Sequence, residues 1–132
     1  MPGGSSAPKS GKDLEDAVCR LATELKLEVR RGVVAARRLW GAKRTIDIVL
    51  RHRDGGKTLG IECKFQAVAG SAEEKIPATI HDIGAWPIPG LVVFDGEGFT
   101  ENMKSYLVSS GRAVEFHDLE DWLRLFFGLP LG

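Results

Sequence analysis

The feature that most constrains the fold is residues 45–66, which read TIDIVL, RHRDGGK, TLGIECKFQ. Two short runs rich in β-branched and aromatic residues flank a segment holding Asp-Gly and Gly-Gly. Those pairs supply the positive φ that tight hairpins need. An antiparallel hairpin is therefore predicted, Thr45–Leu50 against Thr58–Gln66. Side chains alternate between the two faces of a strand. One face then carries Ile46, Ile48, Leu50, Ile61, Cys63 and Phe65 and should pack on a helix. The other face gathers Asp47, Glu62, Lys64 and Gln66.

A carboxylate at the centre of each strand is unusual, because acidic residues are depleted in strands. Two neighbouring carboxylates repel each other unless a cation lies between them. Hard oxygen ligands suit Mg²⁺ or Mn²⁺. A lysine beside them orients a water or holds a phosphate oxygen. Together these groups suit hydrolysis of a phosphodiester. Glu-x-Lys alone is a commonplace tripeptide on a solvated face. Asp47, in the middle of the preceding apolar strand, makes it informative.

The rest of the chain frames this hairpin. Residues 1–10, MPGGSSAPKS, read as a flexible tail, and residues 11–132 as one domain of ordinary globular composition. Leu14, Val18, Leu21 and Leu25 recur at helical spacing, predicting a helix over Gly11–Lys26. Leu27–Val34 reads as a strand interrupted by Gly32 and followed by a basic connection, AARRLWGAKR. Ser71 and Glu74 have capping-box spacing, so a helix is expected from near Ala72, with Pro77 in an early turn or breaking it. Gly90–Gly96 and Ala113–Phe116 read as strands, and Thr100–Ser109 and Asp118–Phe127 as helices. The order is α-β-β-β-α-β-α-β-α, an α/β domain with a central mixed sheet flanked by helices. Trp122, Phe126 and Phe127 make the last helix apolar enough for core, with some share in an interface.

Net charge is zero, but it is unevenly spread. Residues 26–64 hold eleven Lys/Arg against four Asp/Glu, and residues 65–132 hold four against ten. A basic middle on a neutral chain points to one surface that faces a polyanion. Arg30, Arg31, Arg37, Arg38, Lys43 and Arg44 are candidates for a phosphate track, and Trp40 for stacking on a base. No apolar run is long enough to span a membrane and no signal-peptide pattern opens the chain. Cys19 and Cys63 show neither metal-ligand nor disulfide-framework spacing. The expectation is a cytoplasmic protein with reduced thiols.

The sequence TIDIVL, fourteen residues between Asp47 and Glu62, then GIECKFQ, resembles the PD-(D/E)xK signature of the restriction-endonuclease-like phosphodiesterases. The proline of the family name is absent, and Ile46 stands before Asp47. The resemblance covers roughly residues 11–95 and implies a restriction-endonuclease-like core of order αβββαβ, here with a C-terminal αβα extension. It implies that Asp47, Glu62 and the Cys63 carbonyl bind Mg²⁺, with Mn²⁺ substituting. Lys64 is then the catalytic lysine, and Glu15 on the first helix reaches the metal through water. Gln66 matches a position that is polar and active-site in some members. The segments GKDLEDAVCRLATEL, IDIVL and IECK on a short chain are similar to archaeal-type Holliday junction resolvases, which are compact dimers acting on branched DNA. GSAEEKI followed by PGLVVFDGEGF is similar to the segment after the catalytic strand in several restriction enzymes, which implies that Lys75 contacts DNA or the active site. The expectation is a metal-dependent DNA endonuclease working as a homodimer, structure-directed by preference because little room is left for a base-reading element. A sequence-specific restriction-type enzyme is the alternative. A non-catalytic nucleic-acid-binding subunit is the alternative outside enzymes.

Overall fold

Helix α1 (Gly11–Glu24) opens on Ser10, whose Oγ accepts the Asp13 amide at 3.1 Å. This cap satisfies one of the free amides of the first turn. In this computed structural model, residues 8–37, 43–68 and 76–131 are described. Ser10 therefore belongs to the helix start and not to a tail, and residues 1–7 lie outside the described residues. Leu14, Val18 and Ala22 are fully buried, with Leu21 at their flank. The helix ends short of the expected Lys26 because Lys26 turns left-handed, at φ 68°. The Lys26 and Leu27 amides then fold back on the Thr23 and Ala22 carbonyls, each at 3.0 Å.

The sheet is built from β1 (Glu28–Arg37), β2 (Lys43–Arg51), β3 (Thr58–Phe65), β4 (Gly90–Asp95) and β5 (Ala113–Glu115), in that spatial order. The first three strands are antiparallel, and β4 and β5 join parallel. Parallel joins need crossovers, which α2 (Ile76–Ile83) and α3 (Glu101–Ser109) provide. Both pack on one face, where Ile76, Ile80, Ile83 and Leu107 meet Val92, Phe94 and Ala113. α1 and α4 (Leu119–Phe127) cover the other, against Ile48, Leu50, Ile61, Leu91 and Val93. The expected α/β architecture is present: a mixed five-stranded sheet flanked by four helices.

Two local expectations need correction, and the structure decides between the alternatives of a third. First, β1 does not stop at Val34. It runs to Arg37, with a register shift between Val34 and Ala36, so both ends of the basic connection are strand. Gly32 lies inside β1 at φ 63°, and the ladder skips the pair it would make with Asp47.

Second, Ile46 does not share a face with Ile48. Its Cγ2 lies 3.3 Å from where a Gly60 Cβ would stand, beside the Trp86 ring on the α2 side. Ile48 packs under α1. The alternation of β2 therefore breaks at Asp47, opposite the one left-handed residue of β1. Third, Pro77 stands in the first turn of α2, where a missing amide costs nothing. The start near Ala72, with Ser71 and Glu74, lies outside the described residues.

Candidate active site

The β2–β3 ladder pairs Arg51 with Thr58 and ends at Ile48 opposite Ile61. One residue farther along, Asp47 comes close enough to Glu62 for its charge to act on the Glu62 carboxyl. There the Asp47 Oδ2 accepts the Cys63 amide at 3.1 Å. A side chain has taken an amide proton that a backbone carbonyl accepts in a continuous ladder. The break in alternation at Asp47 is thus what turns its carboxylate toward β3.

Glu62 and Lys64 project together on the α2 side, since their parallel partners on β4 are Val92 and Phe94. The Lys64 Nζ lies 3.7 Å from the Glu62 Oε2. Glu62 keeps only 20% of its side chain exposed, and its buried Oε1 has no hydrogen-bond partner among the described residues. Burial pushes the Glu62 carboxyl up, the charge of Asp47 adds to this, and Lys64 offsets only part of it, leaving it at about 7. Two opposed carboxylates and one orphaned oxygen fit a divalent cation, whose charge would reverse both penalties. Among the described residues, no third His, Cys, Asp or Glu joins this pair as a metal-holding group.

The remaining candidates divide. Glu15 is half-buried on α1 and bonds to the Arg31 Nη2 at 3.2 Å, while the Asp16 Oδ1 takes Nη1 at 2.8 Å. Glu15 stays close enough to the pair that its charge, with those of Asp47 and Glu62, opposes ionisation of the buried Cys63 thiol. Burial is the larger cause of that upward shift.

Gln66 is 6% exposed and turned to a neighbouring loop. Its Nε2 donates to the Gly98 carbonyl at 2.9 Å, and its own carbonyl accepts the Gly98 amide at 2.8 Å. A Cβ at Gly96 or Gly98 would fall 2.2 or 2.4 Å from the backbone of Gln66 or Val68, so both glycines permit this approach. Local sequence missed this role; the glycines of FDGEGF were its one signal.

Of the expected phosphate track, Arg30 is exposed on β1 and Arg31 is held by carboxylates. Arg37, Lys43 and Arg44 are described by backbone alone, at the ends of β1 and β2. Arg38, Trp40 and Lys75 lie outside the described residues. In α4, Leu123 and Phe127 are core, Trp122 and Phe126 stack at 5.2 Å on its flank, and Leu125 is 70% exposed. No described helix is long and apolar enough to cross a membrane.

Comparison with known proteins bears on the family and the fold. A family model, the PD-(D/E)XK nuclease superfamily domain, matches residues 6–123. Among solved structures, the crystal structure of a protein of unknown function, AF1548, is similar with a TM-score of 0.53 at 20% identity. The match covers 77% of this chain and 56% of that one, so this chain spans little more than half the length of that protein. This likeness shows the fold. No curated protein matches the chain.

Proposed function

Since the chain belongs to the PD-(D/E)XK nuclease superfamily, we propose that it is a metal-dependent DNA endonuclease whose working groups are Asp47, Glu62 and Lys64. One observation carries this reading: Asp47 and Glu62 meet where the β2–β3 ladder ends, with a Glu62 oxygen buried and unbonded. Asp47, Glu62 and the Cys63 carbonyl would hold Mg²⁺ or Mn²⁺. When bound, that cation supplies Lewis-acid polarisation of a phosphate and a water of lowered pKa. Asp47 is oriented for this by the Cys63 amide. Lys64, tethered by Glu62 at 3.7 Å, presents three donors to a phosphate oxygen or to the attacking water, and steadies negative charge as it develops. Gln66 supports the site from behind by holding the end of β3 to the Gly98 loop.

The substrate reading is branched DNA, cut by a homodimer. Phosphate contacts carry no base information, and the basic residues 26–64 are the chain's main polyanion-facing stretch. The test is a labelled panel of linear duplex, single strand, fork, nicked duplex and four-way junction, with Mg²⁺ or EDTA, using wild type and Lys64→Ala. Metal-dependent cutting of the junction, lost in the variant, is the expected result. Cutting of linear duplex at fixed positions would replace the structure-directed reading with a restriction-type one. Tight binding without any cutting would replace it with a binding subunit.

A further inference from the structure

Among the described residues, the positive-φ glycines Gly55, Gly96, Gly111 and Gly128 lie outside strands and helices, where turns and caps call for them. Gly32 differs: it takes φ 63° inside β1. Packing does not demand a glycine there. The residue is exposed, and a Cβ built on it would meet nothing within 4 Å. What glycine supplies at this position is the left-handed backbone itself, which an L side chain disfavours.

Across from Gly32 stands Asp47. Every other residue of β2 has a partner on β1: Ile48 pairs with Arg31 and Ile46 with Val33, and the pair between them is missing. Pairing with β3 also stops one residue short of Asp47, at Ile48. Here β2 changes face. Ile48 packs under α1, whereas Ile46 lies beside Gly60 and Trp86 on the α2 side. Asp47 takes up the change, and its carboxylate turns toward β3 to accept the Cys63 amide at 3.1 Å.

We propose that Gly32 is a positioning residue for Asp47: its left-handed backbone opens the β1–β2 ladder at one step, and that opening holds the Asp47 carboxylate where it meets β3. The metal arm of its test rests on the proposed Asp47/Glu62 site. The backbone has two states to choose from. With residue 32 extended, it completes the ladder with Asp47, and β2 keeps its period of two. Ile46 then returns to the face of Ile48, and the Asp47 side chain stands out from the sheet, away from the Cys63 amide. With residue 32 left-handed, the ladder opens and Asp47 turns in. Glycine takes the second state freely, and a side chain shifts the balance to the first. A cation held by Asp47 binds only the second state, so its apparent affinity falls with the fraction that adopts it.

A series of replacements at position 32 tests this, because left-handed tolerance and size rank them differently. Asn enters the left-handed region more readily than Ala, and β-branched Val least of all. Mn²⁺ binding is followed by electron paramagnetic resonance without nucleic acid, with melting temperatures recorded for every variant. Gly32→Asn should bind within about 3-fold of wild type, Gly32→Ala about 10-fold more weakly, and Gly32→Val more weakly still. Affinity that follows size instead, with Ala above Asn, overturns the proposal. So does unchanged affinity with lowered melting temperatures, which would make Gly32 only a bend that protects an edge strand.

The second readout needs no metal. Hydrogen exchange at the Cys63 amide, measured by NMR in EDTA, reports its bond to Asp47. Gly32→Ala should speed it about 10-fold, as Asp47→Ala does, while the Leu91 and Val93 amides of the core keep their rates. Unchanged protection of Cys63 in Gly32→Ala overturns the positioning role. Failure of the underlying metal site looks different: wild type binds no Mn²⁺, or Asp47→Ala leaves that binding intact, while the Cys63 amide still responds to Gly32→Ala.

Discussion

Two clusters, each pairing one cation with two carboxylates, lie on the two faces of the sheet, and they are built on opposite principles. Arg31 with Glu15 and Asp16 is the more exposed, bonded at 3.2 and 2.8 Å, and complete. Lys64 with Glu62 and Asp47 is half-buried, held at 3.7 Å, and leaves the Glu62 Oε1 unbonded. Both have one cation and two carboxylates. What separates them is water. Solvent around the first cluster makes its charges inexpensive and its bonds dispensable. Burial of the second leaves Glu62 poorly ionised beside a lysine, so the site gains most from a further positive charge. On the proposed reading, the less satisfied cluster is the one that does the chemistry.

The largest effects should therefore come from the second cluster. Asp47→Ala or Glu62→Ala should lower cleavage by about 10²-fold or more, while duplex binding holds or tightens because a carboxylate near phosphates is gone. Unchanged cleavage would remove either residue from the site. Lys64→Ala should reduce turnover as severely with Mn²⁺ binding retained. Loss of Mn²⁺ binding in that variant would make the lysine a structural support of Glu62.

The next effect is on stability, and its sign follows from the upward shift of Glu62. A carboxyl held above its unfolded value of 4.5, at about 7 in the fold, favours the folded state while protonated. That contribution is fully present below about pH 4.5 and is lost as pH rises through about 7. Glu62→Gln cannot ionise and escapes the loss. It should match wild type near pH 4 and be more stable by about 1–2 kcal/mol at pH 8, read by denaturant titration without metal. A difference that does not change with pH would sink the account. Divalent metal, which prefers the ionised carboxylate, should release a proton on binding at pH 6, measurable by calorimetry in two buffers of different ionisation enthalpy.

Gln66 marks how far the site extends behind that pair. Among the described residues its buried Oε1, like that of Glu62, has no hydrogen-bond partner, but its amide is committed to Gly98. Gln66→Ala strands the Gly98 carbonyl and should destabilise the protein by about 1–3 kcal/mol, with turnover per folded molecule little changed. A fall in kcat at unaltered melting temperature would instead place Gln66 among the groups that meet substrate.

Much of this was legible in the sequence wherever a pattern repeats locally. The hairpin, the helical stripe of α1, the order of elements and the pairing of Asp47 with Glu62 all follow from periods of two or 3.6 residues and from turn chemistry. What escaped depends on contacts between distant segments. The broken alternation at Asp47 coincides with Gly32 on another strand, whose glycine reads locally as an interruption. The tie from Gln66 to Gly98 spans a crossover. Arg31 reads as one more cation in a basic run until α1 places two carboxylates beside it.

That last contact supplies the smallest and most discriminating prediction. Asp16 is 39% exposed and makes the shorter of the two bonds to Arg31. If solvent makes this cluster dispensable, Asp16→Ala should cost no more than about 1 kcal/mol, and raising salt from 50 to 500 mM should shrink even that. A loss of 3 kcal/mol or more, of the kind seen when a buried pair is broken, would show that the Arg31 cluster clamps α1 to β1. It would then resemble the second cluster in energy as well as composition. A small, salt-sensitive cost keeps the two clusters distinct: one held tight by burial and incomplete without a cation, the other complete and cheap to open.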